Sequence, residues 1–416
     1  MVNNQEIKLL DAFAGIGALH KSLKNLGLPI KIMALSEIDI DAIISYAAIH
    51  IKDFKNVYFD YPSDDQMRDW LIKRNIGYDF TKNKSKVPRL KQSKLKQVYK
   101  ASVLLNNLGD ISSLDPNELP DFDLFNFSFC CQDLSVAGKQ KGMRNEDGTA
   151  TRSGLYVYGI NIIRTKKPKY IMIENVKNLI GKKFIGEFYN IIKEVEEIGY
   201  NCYYPINEKG NPVCLNAKDY GIPQNRERIF VICIRKDIDD RNFEFPKKFD
   251  NGVRLKDILE NDSEEKYNLK TIKDFFIKNS FDMERKGNGF RFEPHVKNNA
   301  QIAKCITTRA GGRMDDNYVL DIKSKQDKFC FCSKNDEIEN LIKNKDTVKE
   351  LIKLNLDIRK LTPVECWRLM GFETEDCLKA REQGISDSQL YQQAGNSIVV
   401  NVLYYIFKNL LKDYIK

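Results

Sequence analysis

The chain has 416 residues, is 42% hydrophobic and 30% charged, and carries a net charge of +9 at neutral pH. This balance excludes a disordered or fibrous chain and leaves room for about two or three folded domains. No apolar run approaches the roughly 18 residues of a membrane helix, and no basic flank followed by an apolar stretch opens the chain, so a cytoplasmic protein is expected.

The ten cysteines are expected to be reduced in that compartment, and no two form a C-x-x-C pair. Cys330 and Cys332, with Cys305 and His295 upstream, lack the four-ligand spacing of a zinc site, so no metal is expected.

In chain order, residues 7–11 read as a strand. They run into Phe13-Ala14-Gly15-Ile16-Gly17, and then Leu19, Leu23 and Leu26 fall at helical spacing, with Gly27 as a stop. Strand, glycine turn and helix form the layout of a nucleotide-type cofactor site, because glycine admits a ligand to the backbone and a helix N-terminus favours anionic groups. A second strand over 30–35 ends at Ser36-Glu37-Ile38-Asp39. An acidic residue about 20 positions after the glycine turn suits ribose hydroxyls, and equally suits the start of the helix predicted over 39–49.

Residues 50–108 read as an insertion. Within it, residues 82–100 hold eight basic side chains (Lys82, Lys84, Lys86, Arg89, Lys91, Lys94, Lys96, Lys100) and no acidic one. This is either a phosphate-contacting flap or a solvated face. Residues 107–112 read as a strand end carrying Asp110, followed by a turn-rich link over 114–120.

The aromatic run 125–129 reads as the fourth strand. It ends in Cys130, Cys131 and Gln132, with Gly138 and Gly142 beyond. The C-terminal end of a strand is where open α/β sheets bind ligands. Taken alone, the two thiols read as small core residues, as most free cysteines are. A polar loop over 142–153 and a helix over 154–163 precede a strand over 168–173, which ends in Glu174-Asn175-Val176. A carboxylate and a thiol at neighbouring strand ends make a catalytic constellation.

A helix follows over 184–198. At strand spacing, Gln224, Arg226 and Arg228 point to one side of the strand that continues to Ile234. Past Arg235 the chain is more charged and less periodic, with an exposed glycine turn at Ile306-Thr307-Thr308-Arg309-Ala310-Gly311-Gly312-Arg313. This predicts a smaller domain of irregular build. Residues 359–372 read as a helix with Pro363 in its first turn and Gly371 as its stop. An apolar helix over 399–411 closes the chain.

Together these motifs, in this order, resemble the cytosine-5 DNA methyltransferase family over nearly the whole length. The resemblance implies an α/β fold: a Rossmann-like domain with a mixed, mostly parallel, doubly wound sheet over 1–236 and 385–416, and a target-recognition domain with its connection over 237–384. It implies S-adenosylmethionine as cofactor, with S-adenosylhomocysteine as product. Phe13, Ala14, Gly15, Ile16, Gly17, Glu37, Ile38, Asp110, Ile111, Leu155, Asn396 and Ser397 would surround it.

By the same resemblance Cys131 is the nucleophile and Glu174 acts at N3 of the cytosine. Arg228 holds O2, and Arg226 orients the thiol loop and the DNA backbone. Gln132, Ser135, Gln224, Thr307, Thr308, Arg309, Gly311, Gly312 and Arg313 would face double-stranded DNA. The implied protein is a monomer, off the membrane, modifying DNA in a restriction-modification or phage context, with a restriction endonuclease as functional partner. One departure concerns the residue before the nucleophile, where the family has proline and this chain has Cys130; the backbone there loses a fixed φ and regains a donor. Rival readings are a transfer-RNA cytosine-5 methyltransferase of the same family, a DNA-binding relative without catalysis, and, less in keeping with the motifs, a dinucleotide oxidoreductase or a Cys-His hydrolase.

Overall fold

The structure is a computed structural model that describes residues 6–129, 155–269, 294–309, 311, 313, 316–321 and 357–415. Its first ten strands are β1 (Ile7–Ala12), β2 (Ile30–Ser36), a short hairpin of β3 (Tyr78–Asp79) and β4 (Lys84–Ser85), β5 (Leu124–Phe127), β6 (Tyr170–Val176), β7 (Tyr200–Tyr203), β8 (Leu215–Asn216), β9 (Gln224–Asn225) and β10 (Glu227–Arg235). Seven of them form one sheet in the order β2-β1-β5-β6-β10-β7, with β8 also paired to β10. The β2-β1-β5-β6 part is parallel, and β10 runs antiparallel to both β6 and β7. The C-terminal ends of four strands and the N-terminal end of β10 therefore share one edge.

Side-chain alternation along these strands makes two cores. Leu9, Leu124, Met172 and Phe230 face one side, with Leu19 and Leu23, Ile43 and Tyr46, and Leu403 and Ile406 from the helices Ala18–Asn25, Ile40–His50 and Val400–Leu410. Leu10, Phe125, Ile171 and Val231 face the other, against the helices Tyr156–Lys166 and Ile185–Ile198. A sheet covered on both faces explains why its strands read as near-continuous apolar runs.

Three expectations are corrected. The strand end predicted over 107–112 is a single bridge between Leu35 and Asn107, followed by a 3-10 turn, Ile111–Ser113. The Asn107 side chain accepts from Glu37 N and Gly109 N, and Asp110 accepts from Ser112 N, so local side-chain bonds replace a ladder. The aromatic run before the thiols is thus the third strand of the main sheet in chain order, not the fourth.

Residues 359–372 are not one helix. They begin in β14 (Asp357–Lys360), which pairs with β13 (Tyr318–Asp321), itself beside β11 (His295–Val296). The helix Pro363–Arg368 follows, with Thr362 as cap, Pro363 at its first position and Gly371 at φ +82° as its stop.

Residues 361–384, which the resemblance assigns to the recognition domain and its connection, share a core with the first part of the chain. Cys377 and Ala380 of the helix Thr374–Glu382 lie in the same core as the helix Ile40–His50, and Lys21 pairs with Asp376 at 2.9 Å. The insertion is likewise part of the main body, since Met67, Leu71, Leu95, Val98 and Ala101 are buried in that core. Its basic run is divided. Lys94 pairs with Asp41 at 2.5 Å, and Lys96 lies over the Tyr61 ring. The buried Lys100 donates to the carbonyls of Phe54 and Val57, at 2.8 and 2.6 Å. Lys82, Lys84, Lys86, Arg89 and Lys91 are exposed.

Candidate active site

The shared sheet edge gathers the motif residues. After β1 the chain turns sharply: Phe13, Gly15 and Gly17 have φ of 56°, 54° and 81°. Phe13 is a bulky residue in the left-handed region, a strained position held by its N–H bond to Ser36 O at 2.8 Å. The two glycines are needed for different reasons. A Cβ on Gly17 would lie 2.4 Å from His50 Nε2, whereas one on Gly15 would meet nothing within 4 Å. The backbone is therefore open on the Gly15 side.

Glu37 closes this turn from β2. Its Oε2 accepts from Gly15 N, and its Oε1 accepts from Ile38 N and Asp39 N, all at 2.8 Å. Burial raises its carboxyl above the ordinary value, Asp39 adds to that, and the backbone donors oppose it. Asp39 separately caps the helix Ile40–His50 through Ala42 N at 2.9 Å, so the acidic pair divides two tasks. Asp110 is buried, held by Asn75 Nδ2 at 3.1 Å and by Ser112, with Ile111 buried beside it. Leu155 is half-buried at the start of its helix. The turn, Glu37 and Asp110 form a cradle with an open backbone face and carboxylate acceptors, a donor set suited to a nucleoside.

Cys130, Cys131, Gln132, Ser135 and Gly312 lie outside the described residues. The approach to the thiols is described. Asn175 Nδ2, at the end of β6, donates to Phe129 O at 3.2 Å, and its Oδ1 accepts from Val176 N at 2.9 Å. This amide joins two strand ends immediately before the cysteines. Glu174 is on the same strand end. In the β6–β10 register Glu174 opposes Phe230 and Val176 opposes Arg228, so Glu174 and Arg228 are diagonal neighbours on one face. Arg228 Nε lies 3.2 Å from Glu174 Oε1. Burial raises the Glu174 carboxyl, while Arg228 and then Arg226 pull it down, and burial wins.

Gln224 and Arg226 do not share a strand with Arg228, because the ladder breaks between β9 and β10. Both are buried, and both hold protein. Gln224 Nε2 donates to Leu369 O at 2.6 Å, and its Oε1 accepts from Ile306 N at 2.9 Å. Arg226 donates to the carbonyls of Ile306, Gly395 and Ser397 at 3.0, 2.9 and 2.8 Å. The two side chains thus grip both backbone groups of Ile306. They fix the segment carrying Thr307, Thr308 and Arg309 to the sheet edge and to the last motif.

Gly395 belongs to this contact, since a Cβ there would lie 2.4 Å from Thr308 N. Thr308, Arg309, Arg313 and Asn396 are exposed; Ser397 is buried. Asp316 closes the turn, accepting from Arg313 N at 2.9 Å and from Thr307 Oγ1 at 3.4 Å, while Gly311 at φ +82° packs on Lys360.

Sequence reading missed Asn175, Asn107 and Cys305 as site residues. Asn175 sits inside the motif that ends β6, next to Glu174. The other two are placed by strand pairings that no local pattern announces.

The family model described as C-5 cytosine-specific DNA methylase matches residues 76–412. The chain is 38% identical to a type II methyltransferase, M2.ScrFI, of Lactococcus lactis subsp. cremoris, over 98% of this chain and 99% of that protein. It is 28% identical to the orphan methyltransferase M.SPRI of Bacillus phage SPR, over 99% of this chain and 98% of that one. In fold it is similar to the crystal structure of the S. pombe Dnmt2 methyltransferase, with a TM-score of 0.60 at 18% identity and 98% of each chain covered. On the extent of the family match and of the identity to the first relative, this chain belongs to the C-5 cytosine-specific DNA methylase family.

Proposed function

We propose that the chain transfers a methyl group from S-adenosylmethionine to C5 of a cytosine flipped out of a specific duplex DNA sequence, with Cys131 as nucleophile. The observation that carries this reading is the Glu174–Arg228 pair at the strand end joined by Asn175 to Phe129, two residues before Cys131.

Cytosine C5 is a weak nucleophile. Addition of the Cys131 thiolate to C6 places electron density at C5, and thiolate suits that role better than any other side chain. Glu174 donates a proton or hydrogen bond to N3 as charge develops there, and its raised carboxyl favours that state. Arg228 orients Glu174 and bonds O2 of the base. The cofactor supplies an electrophilic methyl group. Loss of the C5 proton to a base and expulsion of the thiolate then restore the ring.

The cradle fits S-adenosylmethionine through its own residues, with Gly15 giving backbone access and Glu37 and Asp110 offering acceptors to the ribose and adenine. Gln224 and Arg226 act as positioning residues for the recognition segment, and the exposed Thr308 and Arg309 would meet DNA, with Arg313 beside them. A similarity to both a type II and an orphan phage enzyme suits a modification methyltransferase in a bacterial or phage-infected cell, acting as a monomer beside a restriction endonuclease.

The test offers labelled S-adenosylmethionine with duplex DNA and transfer RNA side by side, then bisulfite sequencing of DNA from expressing cells. Label in DNA at one short sequence is expected. Label in transfer RNA alone would overturn the DNA reading.

A further inference from the structure

Cys305 directly follows β12 (Ala303–Lys304), which pairs in parallel with β9, Ala303 opposite Gln224 and Lys304 opposite Asn225. That register brings the half-buried Cys305 sulfur to 3.5 Å from Arg226 Nη1. Arg228 is the second cation against it. Arg226 is the guanidinium in contact with the sulfur, and Arg228 acts on it electrostatically from beside Glu174. Arg228 has the carboxylate of Glu174, but the oxygen partners of Arg226 are the uncharged carbonyls of Ile306, Gly395 and Ser397.

Cys214 faces Arg228 and Glu174 from before β8, with the Lys177–Glu227 pair outside it, and burial pushes its thiol up to about 12, so it stays neutral. Among these groups, Cys305 is the one left that can balance the second cation.

We propose that the Cys305 sulfur, as a thiolate, is the second negative partner of the Arg226–Arg228 pair, a positioning residue that leaves Glu174 free to hold a proton for the base. The proposal rests on the reading of Glu174 as donor at N3. With Cys305 neutral, both guanidiniums would draw on Glu174 alone and lower its carboxyl. With Cys305 charged, they are shared between two anions. Burial raises the Cys305 thiol, but Arg226 and then Arg228 outweigh it and hold it below the ordinary range. The neutral alternative has its own geometry, in which the thiol donates to Ile306 O at 3.7 Å.

Two measurements on the full chain decide it. Iodoacetamide is applied across a pH series, and modification of the Cys305 peptide is read by mass spectrometry. The expected midpoint lies below the roughly 8.5 of a free cysteine; a midpoint at or above it overturns the charge assignment, whatever the activity. Methyl transfer to duplex DNA is then followed against pH for wild type, Cys305→Ser and Cys305→Asp, each checked for an unchanged melting curve. Serine keeps the size and loses the charge, so its alkaline limb moves to lower pH, each unit appearing as about a tenfold loss above the limb. Aspartate restores the limb. A serine variant with the wild-type profile would assign Cys305 to packing. A low alkylation midpoint in a chain that methylates no DNA would instead reject the reading of Glu174.

Discussion

Arg226 shows what one side chain does in this fold. Its buried guanidinium joins the segment after β9 to Ile306, Gly395 and Ser397. Lysine cannot reproduce a forked donor, so Arg226→Lys leaves buried carbonyls unpaired. The expected cost is about 3 kcal/mol, read as a lower urea midpoint. The glycines of the cofactor turn make a paired test. Gly17→Ala meets both a left-handed φ and the His50 ring, whereas Gly15→Ala meets the φ alone. The second should cost about 1 kcal/mol and the first distinctly more, in thermal melts without cofactor. For the thiols, Cys131→Ala is expected to abolish methyl transfer and Cys130→Ala to retain most of it. The opposite result in the labelled-methyl assay would reverse the assignment.

Between elements, the decisive contacts join segments far apart in the chain. Gly395 lies against the backbone at Thr307 and Thr308 because no Cβ intervenes. Gly395→Ala must push the recognition segment away, so DNA binding is expected to weaken about tenfold while the chain still melts cooperatively, measured by fluorescence anisotropy. The insertion separates in the same way. Reversing Lys84, Lys86, Arg89 and Lys91 to glutamate should flatten the salt dependence of DNA binding by up to about 0.9 for each phosphate no longer neutralised. Lys94→Glu should instead destabilise the fold, since Lys94 is the half-buried partner of Asp41 on the helix Ile40–His50. An unchanged salt slope in the fourfold variant would return the exposed lysines to a solvated role.

Across the whole molecule, the buried Asp11 and the half-buried His20, on either side of the glycine turn, set opposing pH dependences. Burial pushes the Asp11 carboxyl up to about 7, with the Asn126 amide lowering it and Glu37 raising it. Burial, aided by the charge of Lys24, lowers the His20 imidazole to about 4 from an ordinary 6.5. Between those two values the folded chain holds the extra proton at Asp11 and the unfolded chain holds it at His20. Stability therefore falls with rising pH through Asp11 and rises through His20, and His50 acts in the same direction as His20. Asp11→Asn removes one side of this balance. Its unfolding free energy, read from urea melts, should climb from pH 5 to 6.5 more steeply than that of wild type, by up to about 1.4 kcal/mol per pH unit for one proton. Parallel curves would mean that Asp11 titrates normally.

The sequence by itself determined the near-continuous apolar strands, the glycine turn, the Asp39 cap, the Pro363 start and Gly371 stop, and the family. Each depends on residues close together in the chain, where periodicity, φ preference and capping chemistry act. The tertiary structure decided what depends on pairing between distant segments. It reduced residues 107–112 to one bridge, because Asn107 and Asp110 satisfy nearby backbone. It buried Gln224 and Arg226, because β12 lies beside β9. It placed residues 361–384 on the helix Ile40–His50, and brought Cys305 to the guanidiniums of the site. None of these contacts leaves a local pattern, since each partner reads as an ordinary polar or apolar residue until the sheet brings the two together.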